Sequence, residues 1–369
     1  MRTIIGVGDP SAVKRFSAML FVDQAREGYW SNRFMKKGAD AMVPVQILTE
    51  LENDAGDTIT FDIFAQARGK PTFGDDRLKG KEEALRKYSD QVSIDQVRYG
   101  NSAGGRMTRK RVLHDLRMVA RKLQGDWWAR FNDEALFCYV AGARGINNDY
   151  IMDASWTGYA GNLFQAPDAN HQLYAGAATA KNTMVVGDVL TLTTLEKVKV
   201  KAVTMGGGTT GVPKIRPIPI EGNNHFVYLM HSFDAYQLRI NSSVGQWQDI
   251  QKAAAAAQGA NNPIFKGGLG MYNDVILHEH QSVVRFSDYG SGVNLPASRN
   301  SLLGCQALVM AYGSTGNGLR YDWHEETDDR GNEIVIDSAV INGIKKTRFN
   351  SQDYGVLSVD VSSPVVVTN

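Results

Sequence analysis

Between Thr108 and about Val140 the chain runs without a proline and with a single interior glycine, Gly125. Thr108 follows the turn-like stretch Ala103-Gly104-Gly105-Arg106-Met107, and its hydroxyl is suited to capping a helix N-terminus. Leu113, Leu116, Val119 or Ala120, Leu123, Trp127 and Phe131 recur on one stripe. Lys110, His114, Arg117, Arg121 and Gln124 make another face. At the rise of an α-helix such a segment is about 45 Å long, more than most helices of compact domains. It predicts a spine on which the other elements are laid.

The 369 residues allow roughly two domains and a core that needs no disulfide or metal. With 43% hydrophobic and 21% charged residues the composition is that of a soluble globular chain. A net charge of +1 gives no global pull towards nucleic acid or membrane, so any such attraction has to be local. Cys138 and Cys305 lie far apart in apolar surroundings and read as buried small hydrophobes of a reducing compartment. The N-terminal MRTIIGVGDPSAVKR lacks the apolar run of a signal peptide, and no long apolar span occurs. These features predict a soluble protein made in the cytoplasm.

Before the spine, residues 11–24 can form one short helix with Val13, Phe16 and Leu20 on one side. The aromatic and basic run YWSNRFMKKGADAMVPVQ has no sustained period and predicts an arm lying on something else. Thr58–Phe64 alternates as a strand, and Val92–Val97 begins another. The polar segment between them is far longer than an ordinary hairpin loop and predicts a projection.

After the spine, residues 141–190 are rich in glycine, asparagine and aromatics and predict little regular structure. Thr193-Thr194-Leu195-Glu196 reads as a capping box for a helix with Leu195, Val198, Ala202 and Met205 inward, ending at Gly206-Gly207-Gly208. A strand (225–230) and two helices (233–240 and 246–258) follow; alanines 253–257 favour the second, and Gly259 suits its end. Past Gly270 the pattern is β: 274–280, 302–311, 333–337, 338–341, 344–349 and 356–361. Ile341-Asn342-Gly343-Ile344 reads as a tight hairpin. No internal repeat is evident.

Chemical motifs are sparse. Gly267, Gly268 and Gly270 lack the spacing of a phosphate loop and precede a strand, so they predict a tight turn. His278 and His280 share a strand face by the period of two, yet no third ligand stands near, which predicts a polar strand end without metal. His324-Glu325-Glu326 reads as charge at a solvent-facing strand end, and GVGDPS lacks the rest of a dinucleotide fingerprint. No catalytic residue, cofactor or metal is expected. Residues 106–130 carry eight Lys or Arg against two Asp, which suits either a face paired with acidic neighbours or a phosphate-facing surface without base specificity.

The runs GGRMTRKRVLHDLR, WWARFNDE, GARGIN, NNPIFKGGLGMYN and YDWHEET, with QILTELENDAGD near the start, resemble motifs of tailed-bacteriophage major capsid proteins, in the branch found in schitoviruses and related phages. The resemblance covers essentially the whole chain. It implies an α+β fold of the Hong Kong 97 type, with an N-terminal arm (1–50) and an extended β-loop (51–100). It further implies a peripheral domain (101–189, with the spine at 108–140, and 319–369) and an axial domain (190–318). The implied function is self-assembly into pentamers and hexamers of an icosahedral head enclosing double-stranded DNA, after synthesis in the host cytoplasm. Its implied partners are further copies of the chain and non-specifically held DNA, with scaffolding, portal and decoration proteins beside them and no membrane.

On that mapping Arg68, Lys70, Asp75, Asp76, Arg77, Lys79, Glu82 and Glu83 are expected to contact neighbouring subunits, and Arg109, Lys110, Arg117 and Arg121 to face DNA. Covalent cross-linking between a loop lysine (Lys70, Lys79 or Lys81) and an asparagine has no marked pair. The alternatives are an encapsulin-type bacterial compartment shell of the same fold and, from a different class, a metal-dependent hydrolase using His278, His280 and Glu279.

Overall fold

The computed structural model describes residues 10–38, 42–52, 56–64, 67, 69–111, 116–205, 214–220, 222–243, 245–247, 249–251, 268–314 and 319–365. Side chains of the first helix are described from Met19 onward, and that of Arg117 is not described. The arm region holds α1 (Pro10–Glu27), β1 (Met35–Lys37) and β2 (Val45–Leu48), followed by β3 (Thr58–Phe64), β4 (Lys87–Ser93) and β5 (Asp95–Ser102). The predicted spine is α2 (Arg106–Arg111) and α3 (Leu116–Ala141), with residues 112–115 outside the described ones. Thr108 lies inside α2 instead of capping it.

The stretch that follows carries only the short strands β6 (Gly158–Tyr159), β7 (Asn162–Leu163) and β8 (Gln172–Tyr174) and a few single turns of 3-10 helix. Next come α4 (Leu192–Thr204), β9 (Ile218–Ile220), β10 (Asn223–Met230) and α5 (Ser232–Asn241). Thr191, two residues before the predicted box, caps α4 by accepting from the Thr194 N–H. The expected inward face of α4 is buried. The alanine run 253–257 and Gly259 lie outside the described residues. The chain closes through β11 (Gly268–Tyr272), β12 (Val275–Glu279), β13 (Arg285–Tyr289), β14 (Leu295–Leu303), β15 (Leu308–Tyr312), β16 (Tyr321–Asp328), β17 (Glu333–Lys346), β18 (Arg348–Phe349), β19 (Gln352–Asp353) and β20 (Val356–Ser362).

Among the described residues two sheets dominate. The smaller runs β1-β2-β15-β17-β16, with β5 on the other edge of β17; the larger runs β11-β12-β10-β14-β20-β8, with β13 and β9 at its side. The single strand expected over 302–311 is two, because the chain leaves the larger sheet after Leu303 and enters the smaller at Leu308. The return path runs through β18 and β19 to β20, so the last strand belongs to the larger sheet. Sheet membership therefore does not follow a boundary at residue 318.

Alternation divides the larger sheet cleanly. Phe226, Tyr228, Met230, Leu277, Leu302 and Val359 face α4 and α5, while Val227, Leu229, Ile276, Leu303 and Val356 face the core around α3. Helix α3 spans both sheets. Gln124 donates to the Ile336 carbonyl at 3.1 Å, Trp128 to Ser338 Oγ at 2.8 Å, and Asn132 to the Tyr321 hydroxyl at 3.0 Å. Its later turns bury Ala135, Leu136, Phe137, Tyr139 and Val140.

This docking turns the helix away from the predicted stripe. Leu123 is 58% exposed and Gln124 fully buried, because polar donors of α3 meet backbone and hydroxyl acceptors of the smaller sheet. Trp127 and Phe131 stay covered through stacking at 5.2 Å. Gly125 leaves room for α1 to pass: a Cβ there would stand 3.1 Å from that of Asp23.

The predicted hairpin at Asn342-Gly343 does not form. Both residues lie within β17, where Asn342 pairs with Asp95 and Tyr312, and Gly343 with Ala311. The dipeptide serves close approach, not a turn: a Cβ on Gly343 would lie 1.9 Å from the Ser93 carbonyl oxygen. Asn162 fixes Ser93 there, donating to its carbonyl at 2.6 Å and accepting from its N–H at 3.0 Å.

Gly343→Ala is therefore expected to cost roughly 3 kcal/mol or more through forced displacement of the β4–β5 junction. A thermal melt should show a clear fall, whereas Gly187→Ala, with nothing within 4 Å of the new methyl, should melt like the parent.

Candidate functional site

The projection is rooted in a two-stranded ribbon, with β3 and β4 antiparallel from Thr58↔Ser93 to Phe64↔Lys87. At its base Asp90 accepts from Lys345 and, at 3.0 Å, from the backbone N–H of Arg348, which ties β4 to the smaller sheet. Lys87 and Asp62 pair across the ribbon at 2.7 Å. Beyond it Lys70, Asp75, Asp76, Arg77, Lys79, Glu82 and Glu83 are all exposed, and Arg68 lies outside the described residues.

The loop's own contacts are few. Lys81 pairs with Asp76 at 3.4 Å, Glu83 accepts from Gly69 N, and Glu82 accepts from Gly80 N at 2.6 Å. Phe73, Leu78 and Leu85 are 78%, 61% and 83% exposed, which an isolated subunit does not favour. Sequence pattern located the projection and its charges but gave no weight to these three apolar side chains.

The four cations expected to face DNA separate. Lys110 is exposed; Arg109 is half-buried, with its guanidinium donating to the Gly104 carbonyl. Nothing is described of the Arg117 side chain. Arg121 is buried under α1, 3.2 Å from Asp23, so it faces the arm and not an open surface. An acidic residue of α1, Asp23, holds it inward. The tip of the β16–β17 hairpin, carrying Asp328 and Asp329, stands beside α2, where Asn332 accepts from Arg106 N at 3.2 Å.

His278 and His280 are not a polar strand end. His278 is fully buried and meets Phe34 edge-on at 5.1 Å. His280 is stacked on Phe137 of α3 at 4.8 Å and tilted against Tyr29 at 4.4 Å. Burial, then the Arg33 charge, pulls the His280 pKa down from 6.5 to about 4. Asp133 of α3 completes the latch by accepting from the backbone N–H of Tyr29 at 2.7 Å and of Trp30 at 3.2 Å. Burial raises its pKa to about 7 against those two bonds and Arg33. Among the described residues no group of three His, Cys, Asp or Glu could hold a metal. A lone aspartate in a long helix gives no sequence signal for such a latch.

These elements occur together in known proteins. The family model for phage capsid protein matches residues 4–365, and the chain belongs to that family: a structural protein of a phage shell, not an enzyme. It is 48% identical to a chain of the capsid of Ralstonia phage GP4 over 100% of both, with a TM-score of 0.87. The major capsid protein of Pseudomonas phage KPP25 is 26% identical over 375 residues, 94% of each sequence. A capsid chain of cyanophage Pam1 is 19% identical, with a TM-score of 0.69 over 92% of this chain and 93% of that one. The fold is of the Hong Kong 97 type. The compartment-shell and hydrolase alternatives find no support.

The latch has a pH signature of definite sign. The folded pKa of His280 lies below its ordinary value, so its contribution is complete above about 6.5 and is lost as pH falls through about 4. Asp133 acts oppositely, its contribution being complete below the usual carboxylate range and lost as pH rises through about 7. His280→Phe keeps the aromatic stack and removes only the first of these. Between about pH 7.5 and 4.5 the parent should lose roughly 2 kcal/mol more stability than the variant, measured by denaturant unfolding at both pH values.

Proposed function

We propose that this chain assembles with copies of itself into pentamers and hexamers of an icosahedral head that encloses double-stranded DNA. The observation that carries the reading is the loop between β3 and β4, rooted firmly at Asp90 and carrying Phe73, Leu78 and Leu85 bare at its far end. A lone subunit gains nothing from exposing them, whereas a neighbouring copy would bury them and meet the mixed charges around them. On this reading residues 1–50 are the arm, 51–100 the extended loop, 101–189 and 319–369 the peripheral domain, and 190–318 the axial domain.

The 48% identity to the Ralstonia phage GP4 capsid chain over full length supports transfer of the shell role. Of the four expected cations Lys110 of α2 is the exposed one among the described side chains, with Arg109 half-buried beside it; on this reading they meet packaged DNA through phosphates without sequence preference. Scaffolding, portal and decoration proteins are further partners of such a head. Its site is the virion, after synthesis in the host cytoplasm. Among the described residues no helix is long and apolar enough to cross a membrane.

Purified protein should form shells or capsomers visible by electron microscopy. Replacing residues 67–85 with a short glycine turn should leave the thermal melt of the subunit close to that of the parent and abolish assembly. Intact shells from that variant would overturn the role given to the loop, and a strictly monomeric parent at every salt concentration would overturn the shell reading itself.

A further inference from the structure

Among the described residues, every open edge of the two main sheets but one is blunted against pairing with another chain. β1 has three residues and carries Lys36 and Lys37. β8 and β9 are as short; the Lys201 ammonium occupies the Gln172 carbonyl of β8 at 2.9 Å, and Pro219 sits in the middle of β9. β11 and β13 are broken by register shifts. β16 lines its exposed half with Glu326 and Asp328.

β5 is the exception. Its eight residues pair with β17 without a shift, and past Asp95 its one charge is Arg98. The Ala103 N–H bonds to the Ile334 carbonyl, which sets the phase of the ladder. Val97, Tyr99 and Asn101 thus turn their backbone groups to β17, and Gln96, Arg98, Gly100 and Ser102 turn theirs outward. The Asp95 carboxylate takes the Gln96 N–H at 2.7 Å. Among the described residues the outward backbone groups of Arg98, Gly100 and Ser102 have no partner, and all three residues are exposed.

We propose that β5 pairs antiparallel with β5 of a second copy, across a two-fold axis between the two Tyr99 residues. The smaller sheets of two subunits then become one. The outward groups are symmetric about Tyr99, so Arg98 stands opposite Gly100 of the second copy, and Gln96 opposite its Ser102. Each such pair can exchange about two backbone bonds.

Charge singles out a copy of this strand from other extended segments. On β17 Asp337 lies beside Gly100, and Ala339 beside Arg98. A row across the joined sheet reads Asp337 and Gly100, then Arg98 and Ala339 of the second copy, and the axis repeats it. Each Arg98 passes over a bare glycine towards an aspartate two strand spacings, or about 10 Å, away. Within one subunit neither Arg98 nor Asp337 has an ion pair among the described residues.

The pairing rests on the reading that copies of the chain assemble, but it has its own readout. The full-length Gln96→Cys/Ser102→Cys variant, oxidised where the parent associates, should run as a disulfide-linked dimer on a non-reducing gel. Residues 96 and 102 of one strand are about 20 Å apart, as are the two copies of either residue in this register. Neither single variant should therefore cross-link; Cys138 and Cys305 are buried. Adding Arg98→Glu should lower the dimer yield about fivefold or more, and Arg98→Glu with Asp337→Arg should regain it. Adding Arg98→Pro removes an N–H that β17 does not use, so it should melt close to the parent and give no dimer.

If the proline variant does not fold, the charge reversal and its rescue carry the same test. Shells that form without the cross-link overturn the pairing and leave the shell reading standing. A cross-linked dimer that never builds shells supports the pairing and counts against that reading. Single variants that cross-link as well as the double variant overturn the register, and an undiminished yield with Arg98→Glu overturns the pairing as proposed.

Discussion

The subunit depends on one helix being buried against two sheets at once. Gln124, Trp128 and Asn132 of α3 bond to the smaller sheet, and Leu136, Phe137 and Val140 pack into the core beside the larger one. Aromatic side chains dominate the contact: Trp128 is fully buried beside Tyr321, with ring centroids 5.4 Å apart. Each such ring removes roughly 150–250 Å² from water. The chain passes between the sheets by the short stretches after Leu303 and after Lys346 and, from β5 to β8, by way of α3 itself, so the helix is both a connection and the body packed against the two sheets.

The same helix organises the arm. Its N-terminal part takes α1 through Arg121 and Gly125, and its middle takes Tyr29 and Trp30 through Asp133. Tyr29 then closes over His280 at the end of β12, bringing arm, spine and larger sheet into one aromatic cluster. The residues that looked most chemical in the sequence are structural contacts of this cluster. For His280, burial and the neighbouring Arg33 explain the lowered pKa without any reaction.

Strong local periodicity was legible in the sequence, and so was length. The alternation of Thr58–Phe64, the inward face of α4, the spine and the long projection after Phe64 all follow from such patterns. Where residues answer to distant partners the pattern misleads. Asn342-Gly343 has the chemistry of a turn but is held straight by strands on both sides and by the Ser93 carbonyl. Leu123 and Gln124 exchange places because hydrogen-bond acceptors on β17 outweigh the apolar stripe. Glycines 268 and 270 sit in β11, and the turn belongs to Asn273 and Asp274, both left-handed. For the candidate site, position and charge of the loop could be read, but which cations stay open could not, since Asp23 lies on another helix.

The root of the projection has a mechanical meaning. Asp90 is held by Lys345 and by the Arg348 backbone, and Arg348 in turn shares Asp353 with the fully buried Lys346. Asp353 also takes a bond through its own N–H to Asp168 at 2.7 Å. These residues sit where the chain passes from the smaller sheet to the larger. A tug on the loop would thus not stop at the ribbon: Asp90 hands it to the ionic knot of Lys345, Lys346, Arg348 and Asp353, on the crossing between the two sheets.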